Sequence, residues 1–177
     1  MIEGIKEVLI TEEDIRAKAK EMGEQITRDY KGKKILCVGI LKGSVAFMSE
    51  LIKHIDLPLE IDFMDVSSYV GTQTSGEVRI LKDLDYSVQG KDILIIEDII
   101  DTGITLNYLV SLFRHRKVNS VCIATLLTKP KRRKVDVDVK YTGFEIDDLF
   151  VVGYGLDYKE LYRNLPFIGI LEENVYS

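Results

Sequence analysis

Residues 93–106 read ILIIEDIIDTGITL, and the acids Glu97, Asp98 and Asp101 stand in that run among isoleucines. Burying a carboxylate is costly unless something pairs with it, so a stretch needed only for packing would not hold acids there. The opening ILII has the pattern of a buried strand, and Asp101-Thr102-Gly103-Ile104-Thr105 has the composition of a tight turn feeding a helix. At such a helix start the N–H groups of Thr102, Gly103, Ile104 and Thr105 have no partner inside the helix. With the threonine hydroxyls and the helix dipole they form a phosphate-sized anion site, and a glycine at 103 lets the anion approach the backbone. Glu97 and Asp98 would repel that phosphate. They suit a neighbouring vicinal diol or a Mg²⁺ ion, since a carboxylate accepts two hydroxyls or ligates a hard cation. Phosphate beside diol is the sugar end of a nucleotide. Taken singly, each residue has a plainer reading, with Asp101 or Thr102 as an N-cap and the acids as solvated loop residues; the contiguous run favours the ligand site.

Two further strand exits carry charge. Leu41-Lys42-Gly43-Ser44 follows the apolar CVGI, so Lys42 is a counter-charge for an anion, although a plain strand-to-helix turn has the same composition. Lys129 stands where the apolar SVCIATLLT stops at Pro130. The basic Arg132, Arg133 and Lys134 that follow are expected to be solvated surface. SSYVGTQTSGEV, from Ser67, is long and polar for a connection between strands, the character of a mobile lid. No G-x-x-x-x-G-K-[ST] loop occurs, which argues against a Walker-type site, and one contiguous acidic run fits a phosphoacceptor receiver poorly.

The elements that must position these groups are legible in outline. Thr11 with Asp14 has the form of a capping box. Ile15, Ala19, Met22, Ile26 and Tyr30 then recur at helical spacing, with Gly32 as a stop. KKILCVGI is a continuous apolar run, as in a strand buried on both faces. SVAFMSELIKHI reads as a helix ending near Pro58, and LEIDFMDVSSY as a strand. The short strands VRIL and DILIIE come next, then a helix from about Ile104 to His115 and the strand SVCIATLLT. A charged connection, KPKRRKVDVDV, leads to late strands in VKYTGFEI, LFVVGYGL and FIGIL. Apolar strands alternating with helices predict an α/β fold with a mostly parallel central sheet flanked by helices, whose ligands lie outside the carboxyl ends of the strands. Without repeats, low-complexity tracts or a linker, residues 1–177 are expected to form a single domain.

The composition bounds the function class. At 177 residues, 46% hydrophobic and 30% charged, the chain is that of an ordinary globular protein. Its net charge of −5 argues against a general nucleic-acid or anionic-membrane binder. No secretory leader and no apolar run of ~18 residues is visible. Cys37 and Cys122 lie in strand-like runs without metal-ligand spacing and are expected to be buried free thiols of a cytoplasmic protein. His54 and His115 are expected to be solvated helix-end residues.

ILIIEDIIDTGITL resembles the phosphoribosyl-pyrophosphate signature of the type I phosphoribosyltransferases, and its EDIIDTG form is most similar to the short bacterial members of the 6-oxopurine, or hypoxanthine-guanine, branch. FVVGYGLDYKELYR, Phe150 to Arg163, has that branch's spacing, and the likeness runs from the first helix to RNLPFIGIL. The resemblance implies the type I fold, with a small hood formed by the N- and C-terminal segments. It also implies Mg²⁺-dependent transfer of the 5-phosphoribosyl group from phosphoribosyl pyrophosphate to N9 of hypoxanthine or guanine in purine salvage. A homodimer or homotetramer follows, with no nucleic-acid or membrane partner.

Residue by residue, the resemblance implies that Asp101, Thr102, Gly103, Ile104 and Thr105 hold the 5′-phosphate. Glu97 and Asp98 hold the ribose and Mg²⁺. Lys42, Gly43, Ser68, Tyr69 and Arg163 meet the pyrophosphate, and the Leu41–Lys42 peptide can be cis. In the base site Lys129 meets the purine O6, Phe150 stacks on the ring, the backbone of Val151 reads its edge, and Asp157 contributes beside a second Mg²⁺. Asp101 takes the proton from N7. Ser44 stands where the family often has a second glycine. Two alternatives stay open: a related transferase for xanthine, adenine or a pyrimidine, and an RNA-binding regulator on the same fold, for which only residues 129–134 offer a basic face.

Overall fold

The structure, a computed structural model, describes residues 3–71 and 74–177. In chain order its elements are β1 (Ile5–Ile10), α1 (Glu12–Asp29), β2 (Ile35–Leu41), α2 (Val45–Leu51), β3 (Leu59–Gly71), β4 (Thr74–Lys82), β5 (Asp92–Ile100), α3 (Ile104–His115), β6 (Ser120–Thr128), β7 (Tyr141–Glu145), β8 (Val151–Val152), β9 (Ile168–Leu171) and α4 (Glu173–Tyr176). Among these residues a six-stranded sheet runs in the order β4-β3-β2-β5-β6-β7, parallel except for the antiparallel β3–β4 pair.

Side chains alternate between the faces of a strand, and each face of β2 and β5 is covered by helix. Leu36, Val38 and Ile40 join Ile93 and Ile95 beneath Leu106, Leu109 and Phe113 of α3. Cys37, Leu94 and Ile96 turn the other way, beneath Ile15, Ala19, Met22 and Ile26 of α1 and Phe47, Met48 and Leu51 of α2. Two covered faces explain why these strands read as unbroken apolar runs. Helix α1 starts as its sequence predicts, with the Thr11 side chain accepting from the Asp14 N–H at 3.1 Å. Helix α3 occupies the predicted span.

A smaller antiparallel sheet, β1-β9-β8, joins the two ends of the chain into the expected hood, packed on Ile5, Val152, Leu165 and Leu171. Strand β1 carried no sequence signal. Its two buried side chains, Ile5 and Ile10, are five positions apart, because register shifts interrupt its pairing with β9 and break the alternation a strand normally shows.

The other departures come from pairing and packing between elements, which a local residue pattern does not record. Strand β3 runs on to Gly71 and β4 starts at Thr74, so most of the expected polar loop is a hairpin arm. Backbone pairing holds it, with no apolar face needed to signal it. Ser68 therefore lies in a strand; of Tyr69 only the backbone, also in β3, belongs to the described residues. Strand β5 continues past Glu97 to Ile100 on β6, so Glu97 and Asp98 are strand residues rather than the strand's end. His54 is only partly solvated: its Nε2 lies 3.0 Å from Glu50 Oε1, and α1 passes so close that a Cβ at Gly23 would sit 2.5 Å from His54 Cβ. Cys37 is buried, whereas Cys122 is only half-buried.

Phe113 is fully buried and ties α3, whose first turn carries Thr105, to the sheet. Phe113→Ala is expected to cost about 3–5 kcal/mol, read as a lower urea midpoint at unchanged slope. A loss below about 1 kcal/mol would mean that other contacts anchor α3.

Candidate active site

Strands β2 and β5 pair from Ile35–Asp92 to Gly39–Ile96, after which β2 stays with β3 as far as Leu41–Asp65 and β5 with β6 as far as Ile100–Thr128. The same junction is where the strand order reverses, the place at which an open parallel sheet leaves a crevice. Here it opens a cavity of about 440 Å³. Leu41, Lys42 and Gly43 line one wall, and Glu97, Asp98, Asp101, Thr102, Gly103 and Thr105 the other; Ser68 and Arg163 complete it. Lys129, Phe150, Val151 and Asp157 do not line this cavity; the first three form a separate group, and Asp157 lies against Arg163.

The turn after β5 has the geometry that its composition demands. Gly103 has φ +83°, and a Cβ there would lie 2.7 Å from Val135 O. The first helical bond of α3 is Asn107 N–H to Gly103 O, at 3.0 Å, so the N–H groups before it have no intrahelical acceptor. One departs from expectation: Ile104 N–H donates to Thr102 Oγ1 at 3.4 Å.

Residues after Lys129 fold back over this turn, with Lys134 and Val135 N–H donating to Thr102 O at 2.9 and 3.2 Å. Of the basic run that was expected to be solvated, Arg132 and Lys134 are exposed and Arg133 is half-buried. Arg133 Nη2 donates to Thr128 Oγ1 at 2.6 Å, and Arg132 Nε lies 2.6 Å from Asp101 Oδ1. Only Lys134 remains exposed without a recorded side-chain partner.

Glu97 and Asp98 sit side by side, Asp98 N–H donating to Glu97 Oε1 at 3.1 Å and Ile99 N–H to Asp98 Oδ1 at 2.6 Å. Burial pushes the Glu97 carboxyl well above its ordinary value, and the charge of Asp98 adds to the rise. Burial also raises Asp98, against the opposing pull of hydrogen bonds from Glu97 and the Ile99 N–H and of the Arg163 charge. Two adjacent carboxyls short of countercharge are hard oxygen donors that fit Mg²⁺. Among the described residues no three His, Cys, Asp or Glu side chains converge on one point. A Mg²⁺ ion at this pair would thus take its other ligands from water and substrate oxygens, its usual habit. Asp157 does not join the pair; its carboxylate accepts from Glu160 N–H at 2.9 Å and lies 3.1 Å from Arg163 Nη2.

Across the cavity the cations are held by acids. Glu160 bridges Lys42 Nζ at 2.7 Å and Arg163 Nη2 at 3.1 Å, and Arg163 Nη1 donates to Gly155 O at 2.8 Å. The Leu41–Lys42 peptide is cis. The loops at Gly43 and Gly155 touch: a Cβ at Gly155 would overlap Gly43 O, and one at Gly43 would overlap Asp98 Oδ2.

In the second group, the buried Lys129 donates from Nζ to Leu149 O at 2.7 Å and has Asp148 Oδ1 at 3.6 Å. Phe150 is 38% exposed, with Tyr176 stacked on it at 4.6 Å between centroids and Tyr158 edge-on at 5.6 Å. Val151 is buried and pairs with Ile170. Sequence reasoning missed Arg132, Asp148, Glu160 and Tyr176. Their types are ordinary for surface positions, and only folding shows what they face.

A glycine-bearing turn with N–H groups outside the helix bonds and a pair of half-buried acids, at a strand-order reversal and opposite a lysine and an arginine, define a class of α/β proteins that handle phosphorylated sugars. Residues 8–159 match the family model described as the phosphoribosyl transferase domain, and the chain belongs to that family. It is 63% identical over 174 residues to the hypoxanthine-guanine phosphoribosyltransferase of Staphylococcus aureus strain Mu50, covering 98% of this chain and 97% of that one. With the enzyme of the same name from Staphylococcus epidermidis strain ATCC 35984 the identity is 62% over 178 residues, covering 100% and 99%. A crystal structure of a hypoxanthine phosphoribosyltransferase from Staphylococcus aureus superposes with a TM-score of 0.95 at 62% identity, covering 98% and 95%.

A carboxyl whose pKa is higher in the folded chain contributes stability that is complete below its unfolded value, 4.5 for Glu97, and is lost as pH rises through the folded value. The thermal midpoint of the ligand-free protein is therefore expected to carry a component that falls with rising pH above that value, and Glu97→Gln should remove it. An identical pH dependence in the variant would place the pair's titration in the ordinary range.

Proposed function

We propose that the protein transfers the 5-phosphoribosyl group of phosphoribosyl pyrophosphate to N9 of hypoxanthine or guanine, giving IMP or GMP and pyrophosphate. The observation that carries this reading is the turn at 101–105 lying beside the half-buried Glu97–Asp98 pair and across from Lys42 and Arg163. The hypoxanthine-guanine phosphoribosyltransferases it is similar to support the choice of base.

Asp101, Thr102, Gly103, Ile104 and Thr105 hold the 5′-phosphate through N–H and hydroxyl groups, while Glu97 and Asp98 accept from the ribose hydroxyls. As the bond from C1′ to the pyrophosphate oxygen breaks, negative charge gathers on the leaving group, and Lys42 and Arg163 stabilise it. Both must first exchange Glu160 for the pyrophosphate. Gly43, Ser68 and Tyr69 complete that site. Glu97 and Asp98, and Asp157 for a second ion, are the residues that would hold Mg²⁺, which when bound would supply charge neutralisation at the diphosphate.

On the base side, Phe150 stacks on the purine, the Val151 backbone reads its edge beside Asp157, and Lys129 donates to O6. Asp101 accepts the proton from N7 as N9 attacks C1′. The arm of β3 and β4 covers the site against water, which would otherwise capture the sugar carbon. No helix among the described residues is long and apolar enough to cross a membrane. A cytoplasmic homodimer or homotetramer, without nucleic acid, belongs to the same reading.

The test is a base panel of hypoxanthine, guanine, xanthine, adenine and uracil, each with phosphoribosyl pyrophosphate and Mg²⁺. Monophosphates are expected from hypoxanthine and guanine; turnover of adenine or uracil instead would keep the sugar-phosphate site and discard the base site. General-base catalysis is worth about 10²–10⁴-fold, so Asp101→Asn should lower kcat by that order with little change in KM. An unchanged kcat where chemistry limits the rate would remove Asp101 from the role.

A further inference from the structure

We infer that Arg132 and Asp148 form a positioning pair that joins Asp101 to Lys129, so that the groups meeting purine N7 and O6 are held as one unit of alternating charge. The inference deepens the reading above and rests on it. Asp101 follows β5, Lys129 and Arg132 follow β6, and Asp148 precedes β8. Arg132 Nε lies 2.6 Å from Asp101 Oδ1, Arg132 Nη1 lies 3.3 Å from Asp148 Oδ1, and the same oxygen lies 3.6 Å from Lys129 Nζ. Exposed ion pairs are worth little as stabilisers, and Arg132, Asp101 and Asp148 are all about half exposed. Orientation, rather than stability, is what such a chain supplies.

The donor and acceptor inventory shows what is oriented. An ammonium has three N–H donors. One of those on Lys129 goes to Leu149 O and one faces Asp148, which leaves one for a carbonyl oxygen. Asp101 Oδ1 is buried against Arg132, close enough to feel its charge but out of line for a hydrogen bond. The Asp101 side chain is 43% exposed although Oδ1 is not, and Oδ2 is the oxygen left to accept a proton. Without Arg132 the carboxylate has no cation to fix its rotation; without Asp148, both Arg132 and Lys129 lose a common anchor. The neighbouring charges are otherwise engaged: Lys131 pairs with Asp147 at 2.5 Å, and Arg133 donates to Thr128.

The experiment compares Arg132→Gln, Arg132→Lys and Asp148→Asn with the wild-type chain by steady-state kinetics across pH, with ¹³C-carboxyl NMR of Asp101 alongside. Misplacing a reacting group by about 1 Å costs on the order of a hundredfold. Arg132→Gln is thus expected to lower kcat by about ten- to a hundredfold, with the KM for phosphoribosyl pyrophosphate changed less than about twofold. The ¹³C-carboxyl resonance of Asp101 should move, because the carboxyl loses the cation beside its Oδ1. Arg132→Lys should restore part of the loss. Asp148→Asn should raise the KM for the purine as well, since Lys129 loses an anchor. The inference is overturned if Arg132→Gln leaves both kcat and the Asp101 carboxyl resonance in place, or if its loss of activity merely follows a fall in thermal midpoint. Were no base turned over by the wild type, the reading of the reaction would fail first. The NMR comparison would still decide the pairing, since an Asp101 carboxyl resonance unmoved by Arg132→Gln rules it out.

Discussion

Beyond Gly39 and Ile96, β2 and β5 no longer hydrogen-bond to one another, and each continues with its outer neighbour. A parallel sheet whose strand order reverses must part in this way, because its connections leave in opposite directions from the junction. The backbone groups at the parting are exposed on two facing edges, and the residues that follow them line the cavity. One edge delivers the cis-linked Lys42 and its glycine, the other the acids and the anion turn. The flanking helices and the alternating apolar strands keep those two edges rigid and a fixed distance apart.

Charge is managed differently on the two sides of that parting. Lys42, Arg163, Arg132 and Lys129 all find carboxylates within the protein, so each enters the empty state compensated. Glu97 and Asp98 do not, and burial drives both toward their protonated forms. Taking a charge out of water is repaid only by a well-placed partner. The uncompensated pair is accordingly where a cation gains most, while the compensated cations exchange one anion for another at small net change. A site that holds a highly charged ligand and later releases it benefits from such exchange, since neither state leaves a bare charge in a low dielectric.

What the sequence made legible was local. The Thr11–Asp14 cap, the limits of α3, the two-faced burial of β2 and the turn at Gly103 each depend on residues within a few positions of one another. Strand β1 was not legible because its two buried residues are separated by bulges that only its partner β9 defines. The β3–β4 arm was hidden because paired backbones need no apolar pattern. His54 reads as a surface residue until α1 is laid across it at Gly23. In the site, the acids and glycine were visible as a contiguous run, whereas Arg132, Asp148 and Glu160 were invisible for the opposite reason. Each acts on residues that reach it from another strand exit, and a charged residue in a polar stretch carries no mark of what it will face.

The contact between Gly43 and Gly155 has a consequence for how this chain can vary. Neither residue has a side chain to offer, yet Gly155 closes on the carbonyl of Gly43, and Gly43 in turn closes on Asp98. Three segments distant in the chain are thus stacked with no room for a methyl group between them. A library of random variants would record these two positions as intolerant, and a reader looking for functional side chains would pass over both. Change on either loop must preserve an empty space, and drift in the loop after β2 is constrained by a segment of chain more than a hundred residues away.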